Sequence, residues 1–309
     1  DTPHHLLTSE DYFATKPVRA MTKLRYAYNT NGCANHRLSD ALELIAEAGY
    51  DGVALTLDWH HLDPFAVDWV QQTLRLREQL QRLGLDTVIE TGARFLLDPH
   101  HKHEPTLLHP TPEGRARRVD FLKRAIDIGS MLDAEAVSFW AGVPQPGITT
   151  AMADAFLREG VNALAAYASA KNITLAMEPE PGMHVETLED WEHLRHNTLE
   201  ALTLALDVGH IWVTGEMDPA QAVELYAHHC GTAALEGMDR GVHIHRPLHE
   251  GDMDIAAVLR AFQAARFDRL ICIELSRESH RAHRAIFESI ATLRQLETEL
   301  LEQPKIIKP

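Results

Sequence analysis

The run LAMEPEPG at Leu175–Gly182, followed by LALDVGH at Leu204–His210, decides how the chain is read. Each is a short apolar stretch that stops at an acid, Glu178 in the first and Asp207 in the second. Ahead of them Leu157, Val161, Leu164 and Ala168 recur by four, three and four, a spacing that lines one face of a helix. A helix, then a short apolar strand ending in an acid, then the same again, is the rhythm of a chain that alternates helices with parallel strands.

That rhythm continues in both directions. Apolar runs with β-branched residues predict strands at Leu24–Tyr28, Gly52–Leu57, Leu85–Glu90, Ala136–Trp140, Ile173–Met177, Thr203–Leu206, Gly241–His245 and Leu270–Glu274. Ile286, Ile290 and Leu293 line another helical face, and Gly49, Gly84 and Gly129 are expected just past helices, where a left-handed residue commonly ends them. Strand–helix units averaging about 35 residues suit a (β/α)8 barrel. A doubly wound sheet would need a glycine-rich phosphate loop after its first strand, and NTNGCANH (Asn29–His36) stands there instead. The expected architecture is α/β: a single (β/α)8 TIM barrel over residues 23–303, with an N-terminal extension at 1–22 and a tail at 304–309.

Composition narrows the function. The 309 residues carry 45 acids against 29 Lys and Arg, a net charge of −16 that repels phosphate backbones, so no nucleic-acid partner is expected. Cys33, Cys230 and Cys272 are too scattered for a disulfide framework or a thiolate zinc site. No apolar run approaches the roughly 18 residues of a membrane span, and the opening DTPHHLLTSEDYF lacks the basic and apolar regions of a signal peptide, so a cytoplasmic location is expected. The 20 histidines turn attention to metal.

A barrel of this kind works at the C-terminal ends of its strands. There the fifth strand offers Glu178, with Glu180 two residues on; the sixth offers Asp207 and His210; VHIHR (Val242–Arg246) offers His243 and His245 on one side; and ICIELSRESH (Ile271–His280) offers Glu274. Each has a plainer reading. A lone strand-end carboxylate often caps a helix, Asp207 could cap the one that follows it, and one histidine of the pair could merely buttress the other. Together they point elsewhere: acids on successive strands of a closed barrel converge near its axis and repel strongly unless a cation lies between them.

These residues resemble the xylose isomerase-like TIM-barrel superfamily, which includes sugar isomerases and epimerases. The resemblance is carried by GYDGVAL on the second strand, MEPEPG, LALDVGH, VHIHR, and EGDMDIAAVLRAF followed by ICIEL. It implies one divalent ion, Mn²⁺, Mg²⁺, Co²⁺ or Zn²⁺, on Glu178, Asp207, His245 and Glu274, with His210 binding substrate. It also implies an isomerase or epimerase of a small polyhydroxy carbonyl compound. In that reaction the ion stabilises an enediolate while Glu178 and Glu274 act as the acid/base pair. A homo-oligomer is a further family expectation.

Lys102, Trp140, Arg246, Arg277 and His280, with Arg94 and His103, follow strands and are candidate substrate contacts, the cations for an anionic group and Trp140 for a sugar face. Alternatives on the same scaffold are a cyclitol dehydratase, which needs the same metal and base, and a non-catalytic metabolite-binding barrel. A zinc phosphodiesterase resembling endonuclease IV needs histidines after the third and fourth strands, where ETGARF and FWAGVP stand.

Overall fold

Eight parallel strands pair in a closed ring: β1 (Arg25–Asn29), β2 (Gly52–Thr56), β3 (Asp86–Glu90), β4 (Ala136–Phe139), β5 (Leu175–Met177), β6 (Thr203–Asp207), β7 (Cys230–Leu235) and β10 (Leu270–Ile273). Their order around the barrel is β1-β10-β7-β6-β5-β4-β3-β2. Two more strands, β8 (Gly237–Asp239) and β9 (Val242–Arg246), form an antiparallel hairpin outside the ring. The computed structural model describes residues 23–199 and 201–302; the extension expected at 1–22 and the tail at 304–309 lie outside the described residues.

Alternation along the strands sorts the side chains into two layers. Small residues fill the barrel: Ala27, Ala54, Val88 and Cys272 cluster with Leu270, and Ala136, Ala176 and Ala205 form a second group. The intervening positions, including Tyr26, Tyr28, Leu55, Ile89, Phe139 and Met177, belong to the larger core beneath the helices. Each large side chain buried there contributes about 1.5–3 kcal/mol. The helices are α1 (Leu38–Ala48), α2 (Trp69–Leu83), α3 (Pro112–Met131), α4 (Thr150–Ala170), α5 (Leu188–His196), α6 (Val208–Thr214), α7 (Pro219–Tyr226), α8 (Ile255–Ala264) and α9 (Ala282–Glu302). The stripe Leu157, Val161, Leu164 and Ala168 on α4 is buried, as are Ile286, Ile290 and Leu293 on α9.

Closure joins the two ends of the barrel. β1 pairs with β10 from Arg25↔Leu270 to Tyr28↔Ile273. Arg294 in α9 donates to the Leu24 carbonyl at 3.1 Å, and the Leu24 N–H donates to Glu297 Oε1 at 3.3 Å. No described helix is long and apolar enough to cross a membrane.

Two expectations are corrected. Gly49 (φ 89°) and Gly84 (φ 68°) do end α1 and α2 in the left-handed conformation, but Gly129 lies inside α3. A Cβ at Gly129 would sit 2.9 Å from Val137 Cγ2, so glycine serves close packing of α3 on β4, and Asp133 takes the left-handed turn instead. The seventh barrel strand is β7 at Cys230–Leu235, not Gly241–His245. The VHIHR segment is a strand, but it pairs antiparallel with β8, with Gly237 opposite Arg246 and Asp239 opposite Val242.

Candidate functional site

The inward-facing positions at the C-terminal mouth are mostly polar. Asn29, Glu90, Ser138, Glu178, Asp207 and Glu274 line the top of the barrel bore, and Thr56, Glu90, Glu178 and Glu274 continue into a cleft of about 490 Å³ above it. Glu180, His210, His243 and His245 form part of the cleft wall. On the outside of the barrel another cleft of about 410 Å³ lies between α4 and α5; there His184 and Asp154 satisfy each other at 2.7 Å.

Each candidate ligand is held by its element. Glu178 follows β5, and its N–H donates to the Phe139 carbonyl at 2.8 Å. Asp207 ends β6 and also caps α6, its Oδ1 accepting from the His210 N–H at 3.2 Å. The cap leaves Oδ2 buried without a hydrogen-bond donor among the described residues, 3.4 Å from His210 Nε2. Glu274 follows β10 and accepts from Asn31 Nδ2 at 2.7 Å. His245 comes from β9 and donates through Nδ1 to the Glu274 carbonyl at 3.1 Å.

Ligand atoms of Asp207, His245 and Glu274 lie within 4.8 Å of one another, as do those of Glu178, Asp207 and His210, and those of His210, His243 and His245. The four residues expected to hold a metal are therefore divided between two donor sets that meet at Asp207.

One residue was missed. Glu236 directly follows β7 and is in phase with Thr232 and Ala234, which line the bore. It is 0% exposed, neither carboxyl oxygen accepts from an N–H or hydroxyl donor among the described residues, and Oε2 lies 3.8 Å from His245 Nδ1. A Cβ on Gly209 would run into its Oε1, so the glycine of DVGH makes room for this carboxyl. Assigning the seventh strand to VHIHR hid Glu236, although a strand end at AALE was the available signal.

Electrostatics follow from the crowding. Burial, then the charges of Glu180, Glu274, Asp207 and Glu90, holds Glu178 well above the ordinary carboxyl range. Burial and Asp207 do the same to Glu180 and Glu236. Glu90 is raised to about 7 by burial and by Glu274. Burial also pushes Asp207 up, but His210 and His245, the Glu236 carboxyl and the His210 N–H outweigh it and leave Asp207 below its usual value. Carboxyls confined in this way are relieved by protons or by a divalent cation, and oxygen and imidazole donors suit one.

Of the candidate substrate contacts, Lys102, Trp140 and Arg277 line the cleft with Arg94 and His103. Arg94 donates to the Asn31 carbonyl at 3.0 Å, and the His103 ring packs edge-on against Trp140 at 5.2 Å. Behind Trp140, the wholly buried Arg118 stacks on its ring at 4.4 Å. Arg246 and His280 are not brought to the cleft lining. Arg246 pairs with Asp239 at 2.9 Å, and His280 lies exposed in a short 3₁₀ turn at Ser279–Arg281.

The chain belongs to the xylose isomerase-like TIM barrel family, whose model matches residues 42–296. Its fold is similar to that of a D-tagatose 3-epimerase-like protein, with a TM-score of 0.73 and 17% identity over 90% of this chain and 99% of that one. An L-ribulose 3-epimerase superposes with a TM-score of 0.71 and 19% identity, covering 93% of this chain and all (100%) of that one. The IolI protein with a bound zinc atom gives a TM-score of 0.71 and 15% identity over 91% of this chain and 100% of that one. At these identities the likeness is one of fold. The sequence matches no curated protein.

Proposed function

We propose that the protein is a divalent-metal-dependent isomerase or epimerase of a small sugar-like carbonyl compound. The observation that supports this is that Glu178, Asp207, His245 and Glu274 fall in two overlapping groups of candidate donors that share Asp207 at the mouth of the barrel, where two of the acids, Glu178 and Glu274, also line the cleft above. Family membership and the epimerases among the similar folds support the same reading.

Glu178, Asp207, Glu274 and His245 would hold the ion. When bound, it would polarise the substrate carbonyl and so acidify the neighbouring C–H. One glutamate then removes that proton and the other returns one, and which carbon or face receives it decides between isomerisation and epimerisation. His210 and Lys102, with Trp140 and Arg277, would orient the substrate's hydroxyls and any anionic end.

The test is incubation of the Mn²⁺-loaded protein with a panel of ketoses and their phosphates in D₂O, followed by NMR. Deuterium entering the carbon beside the carbonyl, with a new sugar formed, is expected for at least one compound. Loss of water to an unsaturated product would move the protein to the lyases. Metal bound by the protein with no exchange or product from any compound would count against a proton-transfer catalyst.

A further inference from the structure

Beside the two donor sets that meet at Asp207, the trio His210, His243 and His245 has the chemistry of a metal site in its own right. His210 is 2% exposed, and its Nδ1 donates to the Pro179 carbonyl at 3.1 Å, which leaves the Nε2 lone pair free. His245 Nδ1 donates to the Glu274 carbonyl, which leaves its Nε2 free likewise. A backbone carbonyl that fixes one imidazole nitrogen as donor and turns the other outward as a lone pair is the usual way a metal-binding histidine is oriented.

His243 meets this pair from β9, its Nε2 3.1 Å from His210 Nε2. Its single N–H can serve only one of the two free lone pairs, so hydrogen bonding within the cluster leaves the other unmet. The three rings stand 4.7, 5.8 and 5.5 Å apart, and one ligand atom from each lies within 4.8 Å of the others. The Glu180 carboxyl sits beside them, its oxygens 3.6 Å from His243 Nε2 and 3.6 Å from His210 Nδ1, within reach of a cation held there.

We propose that His210, His243 and His245 hold a second divalent cation beside the one on the carboxylates. This rests on reading the cleft as a metal centre. Imidazole donors favour a borderline transition ion such as Zn²⁺, whereas the carboxylate set favours a harder ion such as Mn²⁺ or Mg²⁺. His210 and His245 each have one free nitrogen; when both ions are bound these serve the second, and His210 then meets the substrate through that ion. Glu236, buried against Asp207 with neither oxygen accepting from a donor among the described residues, then gives the carboxylate set its fourth donor.

The experiment is calorimetric titration of the metal-stripped full chain with Zn²⁺ and, separately, with Mn²⁺, for the parent protein and for His243→Ala, with bound metal counted by mass spectrometry. His243 is only partly buried, and circular dichroism verifies the fold of the variant. About two Zn²⁺ per chain are expected in the parent, the second weakened at least about tenfold in His243→Ala, with Mn²⁺ binding unchanged. Co²⁺ in the second site should show an absorption band that the variant loses. One Zn²⁺ per chain in both proteins, or two with affinity and Co²⁺ spectrum unchanged in His243→Ala, would overturn the second site and leave the carboxylate centre standing. No metal bound by the parent protein would overturn both.

Discussion

Stripping divalent cations should make the protein progressively less stable as pH rises above 6.5. Burial and neighbouring carboxylates hold Glu178, Glu180 and Glu236 well above the ordinary 4.5, and Glu90 is raised to about 7. In the folded state such a group keeps a proton that the unfolded chain has already released. Its stabilising contribution is therefore complete below the unfolded pKa and is lost as pH climbs through the folded one. Histidines act oppositely and lower down. Burial pushes His61 and His210 to about 4, so they cost stability as pH falls through 6.5 towards 4, and each regains only about 0.4 kcal/mol above 6.5.

The range above 6.5 is thus governed mainly by the carboxyls. One retained proton is worth about 1.4 kcal/mol per pH unit, so moving from pH 6.5 to about 8 removes about 2 kcal/mol even if a single carboxyl stays protonated in the fold. Against the roughly 5–15 kcal/mol of a typical domain this is large, a fall of about 3 °C in midpoint for a chain of this size. Thermal unfolding followed by circular dichroism in chelator, and again with saturating Mn²⁺, measures it. The cation should flatten or reverse the slope, because coordination neutralises carboxylates for which protons otherwise compete. A chelated midpoint that stays flat or rises between pH 6.5 and 8 would refute the idea that these acids are crowded in the fold.

Glu274→Gln should leave the fold intact and lower turnover about 10²–10⁴-fold, the usual worth of a general acid or base; solvent deuterium exchange measures it, and near-normal exchange would remove Glu274 from the acid/base role. Gly251→Ala should cost about 1–3 kcal/mol in urea titration, since its φ is 85° and a Cβ would run into the Met238 backbone. It should also weaken the binding of Zn²⁺, because the same turn holds the hairpin that carries His243 and His245 through N–H bonds from Asp252 and Met253 to the Met238 carbonyl at 3.0 and 3.3 Å. Arg118→Ala should lower stability by about 3 kcal/mol, because it empties a fully buried space beneath Trp140 and removes a bond to the Thr91 carbonyl at 2.9 Å; a loss below about 1 kcal/mol would show that the surrounding side chains collapse into the gap.

Most of the barrel could be read from the chain because buried parallel strands leave continuous apolar runs, as at Val53–Leu55 and Ile271–Ile273. β7 broke that rule. CGTAAL is built of small residues that fit the bore and bear little resemblance to a β-branched strand, whereas VHIHR alternates polar and apolar as a half-exposed antiparallel ribbon should. The period at VHIHR was real, but its sheet was not. Glu236 was lost with that choice. Glu178, Asp207 and Glu274 could be placed at the barrel mouth because each closes an unmistakable strand, and the plainer reading of Asp207 holds in that Oδ1 caps α6. The placing of Arg246 and His280 depended on loop paths, which local sequence does not fix; Asp239 on the paired strand claims the Arg246 guanidinium.

The hairpin separates what the barrel must keep from what it can vary. Glu178, Asp207, Glu236 and Glu274 are tied to the strands that close the ring, so changing where they stand would disturb the ladder itself. His243 and His245 ride on a two-stranded appendage whose pairing involves no barrel strand. Substitutions, insertions or register slips in that appendage can therefore retune the imidazole side of the cleft while the carboxylate floor and the fold stay as they are, a division of labour by which one scaffold can change its chemistry in small, survivable steps.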